Sequence, residues 1–167
     1  LFNALLRIAR IESESISTDV QPLMLGQLAT DVVELYEPLA EEKHQKLKLV
    51  ESTQSTVHAD RDMLFQALAN VLDNAVKYTP VGGMIDVNIS NHGGQPVLSV
   101  CDSGPGIAEA DQDKVFQRFY RGDVSRSSAG NGLGLSLVSA VTQHHGARIS
   151  LADNDPGLCV KLIFPQA

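Results

Sequence analysis

The sequence predicts an α+β fold, and three observations carry that prediction. The length of 167 residues suits one core-forming domain. Segments of helical period are interleaved with short alternating apolar segments. Several of the later strands follow one another with no helix between them, which favours antiparallel pairing over a doubly wound parallel sheet.

The elements follow in order. From Phe2 to Glu14, Leu5, Leu6, Ile8, Ala9 and Ile11 fall on helical spacing, and polar residues from Ser13 to Asp19 end the run. A second helix is predicted from about Met24 to Gln45, its apolar face including Leu28, Val32, Val33, Tyr36, Leu39 and Ala40. Lys46 to Glu51 alternates as a half-buried strand does, and Thr56 to Ala59 is expected to pair with it. Asp60 reads as the N-cap of a long helix through Leu64, Leu68, Val71, Leu72 and Ala75, closed by Thr79-Pro80-Val81-Gly82-Gly83. Two strands, Met84–Asn91 and Val97–Cys101, flank a hairpin turn at 92–96. A Gly- and Ser-rich region from Asp102 to Asn131 is interrupted by the aromatic cluster Val115–Tyr120. A helix from about Leu133 to His145 stops at Gly146, a natural residue just past a helix end. Strands Arg148–Ala152 and Cys159–Phe164 then flank the turn Asn154-Asp155-Pro156-Gly157.

Composition narrows the function classes. With 13 basic against 20 acidic residues the chain carries a net charge of −7, which argues against a nucleic-acid partner, because phosphate neutralisation needs a basic stripe. No apolar run reaches the ~18–20 residues of a membrane span. Residue 1 is Leu and no signal-peptide pattern follows, so the chain reads as a piece of a longer protein. Cys101 and Cys159 make neither a disulfide framework nor a four-ligand metal site. Lying in apolar strand-like runs, they are expected to be buried free thiols in a reducing compartment.

Four segments hold residue types that folding alone does not require. In Asn70-Val-Leu-Asp-Asn74-Ala-Val-Lys77-Tyr78-Thr79, spacings of four and three bring two amides and an ammonium to one helix face. Amide oxygens suit a hard cation such as Mg²⁺ and the ammonium suits phosphate, although a solvated polar stripe has the same spacing. Asp102-Ser103-Gly104-Pro105-Gly106-Ile107 ends an apolar strand with a hydrogen-bond-accepting carboxylate and glycines that admit a ligand; a plain tight turn would also use them. Gly130-Asn131-Gly132-Leu133-Gly134-Leu135 opens a helix, where free amides attract anions. Its spacing and the lack of a preceding strand exclude a Rossmann reading. Phe116-Gln117-Arg118-Phe119-Tyr120-Arg121 joins loop-docking aromatics to phosphate-seeking arginines.

In their order and spacing the four segments resemble the asparagine, first glycine, phenylalanine and second glycine boxes of the catalytic, ATP-binding domain of bacterial sensor histidine kinases. That domain belongs to the GHKL (Bergerat-fold) group with gyrase, Hsp90 and MutL. The resemblance spans essentially the whole chain. Leu5–Glu12 is similar to the end of the family's dimerisation hairpin, so residues 1–18 are expected to be a hairpin remnant with linker and 19–167 the catalytic domain. It implies a two-layer sandwich in which three helices cover a mixed sheet, with Mg–ATP beneath a lid at about 108–129. Carried over by position, Asn70 and Asn74 would hold Mg²⁺, Lys77 would touch phosphate and Tyr78 would lie against adenine. Asp102 would accept from the adenine amino group, with Gly104, Gly106 and Ile107 lining the approach. Gly132, Leu133 and Gly134 would offer backbone amides to the phosphates, and Arg118 or Arg121 would reach the γ-phosphate.

Hydrolytic relatives place a glutamate four residues before the metal-binding Asn. Here that position is Asn70, an amide that cannot act as a base, and Asp73 points about 100° away from Asn74. Transfer to a protein histidine is favoured over hydrolysis. That acceptor should be a helical histidine followed at once by an acid, and His44, His58, His92, His144 and His145 all fail the test. His144 and His145 close a helix, where a cationic imidazole suits the dipole, and read as capping or surface residues. The acceptor hairpin of the parent kinase and a response regulator receiver domain are therefore the implied partners. Self-association through the exposed stripe of the first helix is expected as well. The resemblance implies a cytoplasmic location, with a parent protein that in this family is often anchored in the inner membrane. A GHKL-type ATPase or serine kinase, and a non-catalytic nucleotide-gated interaction module, are the competing readings.

Overall fold

The computed structural model of the chain describes residues 19–52, 54–105, 134–154 and 156–166. Strand β1 (Val20–Met24) leads into helix α1 (Leu25–Glu42), then β2 (Lys46–Ser52), β3 (Thr56–Asp60) and α2 (Arg61–Tyr78). After β4 (Met84–His92) and β5 (Gln95–Asp102) come α3 (Gly134–His144), β6 (Arg148–Asp153) and β7 (Leu158–Ile163). The expected helix at 2–14 and the lid at 108–129 lie outside the described residues.

A five-stranded sheet runs in the order β2-β4-β5-β7-β6. Only β2 and β4 are parallel; the remaining neighbours are antiparallel, so the sheet is mixed. Alternation sorts each strand between two faces. Ile85, Val87 and Ile89 of β4 oppose Asp102, Val100 and Leu98 of β5, which in turn bring Val100 and Leu98 opposite Val160 and Leu162 of β7. These apolar rows are buried together with Leu28 and Val32 of α1, Leu68, Val71 and Leu72 of α2, and Leu137, Val138 and Val141 of α3. The result is the two-layer arrangement, three helices on one face of a mixed sheet. No helix among the described residues is long and apolar enough to cross a membrane.

Asp60 caps α2 as the sequence predicts: its Oδ1 accepts from the Met63 amide at 3.1 Å. Three expectations need correction. Segment 56–59 pairs antiparallel with β1, not with β2, and β1 itself was not anticipated. The alternating pattern suits either partner, and partner choice is a non-local matter. Leu39, counted with the apolar face of α1, is 45% exposed.

The third correction concerns the cysteines. Cys101 and Cys159 are not free thiols but are bonded to each other. Their strands are sheet neighbours, in a register that sets the two residues directly opposite, with Cα atoms 4.0 Å apart.

His145 keeps the capping role the sequence suggests, but as a neutral ring and not as a cation. Its Nδ1 lies 2.8 Å from the Val141 carbonyl, so Nδ1 donates there and Nε2 accepts the Asp60 amide at 3.1 Å. The ring joins the end of α3 to the cap of α2 as a neutral acceptor. Burial holds its pKa below the ordinary 6.5, with the neighbouring His144 adding to that shift while the Val141 carbonyl and Asp60 oppose it. A depressed imidazole pKa means that the unfolded chain binds more protons, so this contribution is complete above pH 6.5 and is lost as the pH falls below it. Thermal unfolding should therefore show stability dropping as the pH is taken below 6.5. His145→Gln should cost about 1–3 kcal/mol at neutral pH and flatten that dependence; an unchanged pH profile would refute the assignment.

Candidate functional site

The site gathers where the end of α2 meets the end of β5. Helix α2 has the spacing expected of it: Asn70, Asn74 and Lys77 lie within two turns, the two amides half-buried and Lys77 exposed. The last carbonyls of any helix lack partners within it. Here they are taken by two side chains from the turn after α1. Lys43 Nζ donates to the carbonyls of Val76 at 2.5 Å, Thr79 at 3.1 Å and Lys77 at 3.2 Å. Gln45 Nε2, buried, donates to Thr79 at 2.7 Å and Val76 at 3.0 Å. The backbone joins the two turns as well, Lys46 N–H to Gly83 O and Gly82 N–H to Lys43 O. Neither Lys43 nor Gln45 was anticipated, because a side chain that reaches a different helix leaves no local pattern.

Asp102 stands in register with Ile85, on the helix-bearing face of the sheet. Its carboxylate is held by two backbone donors, Gly104 N–H at 3.0 Å and Leu158 N–H at 3.2 Å, both on Oδ1. Among the described residues no donor reaches Oδ2. Burial pushes the carboxyl above its ordinary 3.8, while the two amide hydrogen bonds pull the other way. Ser103 fastens the segment to β4, its N–H donating to Met84 O at 3.0 Å and its Oγ accepting from Met84 N–H at 2.9 Å.

Gly104 is buried against the end of α2: a Cβ there would stand 2.9 Å from the Tyr78 carbonyl oxygen. The structure thus brings Tyr78, Asp102 and Gly104 together, with Asn74 one turn before Tyr78. Gly134 opens α3. Gly106, Ile107, Arg118, Arg121, Gly132 and Leu133 lie outside the described residues. Lys77 is engaged locally, its Nζ 2.9 Å from Asp73 in a one-turn ion pair.

The turn between β6 and β7, read from sequence as a turn and nothing more, proves to be part of the site. Asn154 Nδ2 donates to the Asp102 carbonyl at 2.6 Å, and Gly157 (φ +116°) lies so close that a Cβ would fall 1.8 Å from the same carbonyl oxygen. Among the described residues no cluster of three His, Cys, Asp or Glu side chains is placed to hold a metal.

An amide-bearing helix end set against a half-buried strand-end carboxylate, on three helices over a mixed sheet, defines a GHKL-type ATP-binding domain. Residues 59–167 match the family described as histidine kinase-, DNA gyrase B-, and HSP90-like ATPase, and the chain belongs to it. Its relatives are sensor kinases. The adaptive-response sensory kinase SasA of Rippkaea orientalis is 33% identical over 99% of this chain and 43% of its own length. The sensor protein kinase PmrB of Pseudomonas aeruginosa is 32% identical over 99% of this chain and 35% of its own. The chain thus spans well under half of either relative. Among solved structures, full-length ShkA in complex with AMPPNP superposes with a TM-score of 0.87 at 30% identity, covering 99% of this chain and 35% of that one. The catalytic domain of histidine kinase ThkA gives 0.80 at 25% identity, over 89% of this chain and 97% of that one. The fold is that of histidine kinase catalytic domains.

Two glycine substitutions separate close approach from backbone conformation. Gly157→Ala must displace the Asp102 backbone and also adopt φ +116°, and should cost about 3 kcal/mol or more. Gly146→Ala, at φ +68° with nothing within 4 Å, should cost only about 1–2 kcal/mol. Equal losses in denaturant unfolding would contradict the close approach.

Proposed function

We propose that this chain is the ATP-binding donor domain of a two-component sensor histidine kinase. In this reading it binds Mg–ATP and passes the γ-phosphate to a histidine on a dimerisation hairpin, from which a response regulator receiver domain takes it. The observation that carries the reading is the Asp102 carboxylate, anchored through Oδ1 by two amides with Oδ2 left over beside Gly104 and the end of α2.

That geometry fits an adenine amino group as donor to Oδ2, with the missing Cβ of Gly104 letting this segment close onto the end of α2 at Tyr78. Asn74, with Asn70 one turn before, has the amide oxygens a hard cation prefers once phosphates complete its shell. Bound Mg²⁺ would supply charge neutralisation on the phosphates. Lys77 can turn to phosphate at little cost, because an exposed one-turn ion pair is worth only about 0–1 kcal/mol. Gly134 at the start of α3, with Gly132, Leu133 and Arg118 or Arg121, completes the phosphate contacts in the same reading. In transfer, the bond from the γ-phosphorus to the β,γ-bridging oxygen breaks as the bond to the acceptor imidazole forms, leaving ADP.

Hydrolysis is disfavoured by the same residues. Asn70 cannot take a proton from water, and Asp73, the residue directly before Asn74, points about 100° away from it on the helix. A cytoplasmic setting, an anchored parent protein and self-association through residues 1–18 belong to this proposal too.

Asp102→Asn tests the adenine contact. Oδ1 survives to accept both amides, but a donor NH₂ replaces Oδ2. Folding also no longer buries a charge: a raised carboxyl pKa means that the group's stabilising contribution is present below pH 3.8 and lost as pH rises through the folded value. The variant should melt at or above the wild-type temperature, yet bind ATP roughly 10- to 100-fold more weakly in calorimetry. Retained affinity would sink the adenine assignment.

The second test follows the γ-phosphate from labelled Mg–ATP, with and without a separately made histidine-bearing hairpin. Acid-labile label should appear on the hairpin and vanish with Asn74→Ala. Steady phosphate release without the hairpin would show instead an ATPase, and ATP left bound and intact in both mixtures would favour a nucleotide-gated interaction module.

A further inference from the structure

The two cysteines flank the hydrogen bond that positions Asp102. Cys101 precedes Asp102 on β5, and Cys159 follows Leu158, whose amide donates to Asp102 Oδ1. The bonded sulfurs lie on the sheet face opposite to Asp102, since alternate residues of a strand point to opposite faces. The disulfide is therefore a cross-strand tie one residue from each end of the Leu158–Asp102 contact.

The surroundings also suit the reduced pair. Across β4, Asp86 stands in register with Cys101, and its Oδ1 is buried with no hydrogen-bond partner. On the other side Asn154 Oδ1 lies 3.6 Å from Cys159 Sγ, while the same side chain donates through Nδ2 to the Asp102 carbonyl. On reduction the Cys159 thiol would have Asn154 Oδ1 as acceptor, on a side chain that already touches the Asp102 backbone, and Cys101 would stand in register with the unsatisfied Asp86. An unpaired buried carboxylate oxygen is costly, and a neighbouring S–H would satisfy it.

We propose that Cys101 and Cys159 form a thiol–disulfide modification site that governs the Asp102 carboxylate: oxidation holds it in its ligand-accepting position and reduction loosens it. The consequence for ATP rests on the functional reading above. The oxidant is a low-molecular-weight disulfide and the reductant a thiol or dithiol. Cys101, the more exposed of the two, attacks as thiolate, forming a mixed disulfide and expelling the first thiol, which carries off the proton. Cys159 then attacks the Cys101 sulfur, the mixed S–S bond breaks and the second thiol leaves. Two electrons pass to the external disulfide.

The test compares the whole 167-residue chain in its oxidised and dithiol-reduced states. Non-reducing mass spectrometry assigns the state, NMR follows amide exchange at Leu158, and calorimetry measures Mg–ADP affinity. Reduction should speed Leu158 exchange and weaken Mg–ADP binding roughly 5-fold or more. The double variant Cys101→Ser/Cys159→Ser should respond to neither reagent. Exchange and affinity alike in both states, or tighter binding when reduced, would overturn the proposal, and the wild-type comparison decides this even if the variant fails to fold. Redox-dependent exchange with no nucleotide binding in either state would support the coupling to Asp102 and defeat the ATP reading instead.

Discussion

The rest of the site depends on how the carbonyl end of α2 is satisfied. A helix end facing protein rather than water needs donors, and this one takes them from Lys43 and Gln45. The same two turns exchange backbone hydrogen bonds, Lys46 N–H to Gly83 O among them, immediately before Lys46 and Met84 begin the parallel β2–β4 ladder. Met84 is in turn fastened to Ser103. One knot thus sets three things at once: where α2 stops, how β2 and β4 align, and where the chain leaves β5 after Asp102. Tyr78, Asp102 and Gly104 are near one another because the segments carrying them are tied at that point.

What the sequence made legible was local. The helix α2, its Asp60 cap and its closing turn follow from spacing and residue chemistry within a dozen residues. The order of the later strands is equally local. What failed was non-local. The alternation of Thr56–Ala59 predicts a strand without naming its partner, and β1, exposed along most of its length and interrupted by Pro22, has no apolar pattern to announce it. A histidine closing a helix is expected to be a cation by its dipole, yet His145 is enclosed and accepts an amide hydrogen, so desolvation and the Asp60 donor outweigh the dipole.

The candidate site divides in the same way. The groups that would meet a ligand, Asn70, Asn74, Lys77 and Asp102, are polar where folding does not demand it, and that is visible in a string of letters. The groups that hold them are ordinary: a lysine and a glutamine in one turn, an asparagine and a glycine in another, a leucine amide. Asn154 and Gly157 carry a turn-forming signal that hides their second role against Asp102. The cysteines were misread for a related reason. Burial in apolar strands is a property of each residue, whereas bonding is a property of the register between them.

The fold's treatment of Asp102 bears on selectivity. Partial burial of a carboxylate is destabilising, and the raised pKa is the mark of that cost. Two backbone donors on one oxygen offset part of it and fix the orientation of the group, so the second oxygen is aimed rather than merely present. On the proposed reading that oxygen faces the base edge where adenine offers an amino donor and guanine a carbonyl acceptor. Guanine would set oxygen against oxygen and leave a buried charge without a donor, and a site built on a polar contact rejects an unmatched partner far more strongly than an apolar pocket does. Discrimination would then depend on the amides of Gly104 and Leu158 as much as on the aspartate, because a carboxylate free to rotate could offer either oxygen, or retreat to solvent, at little cost.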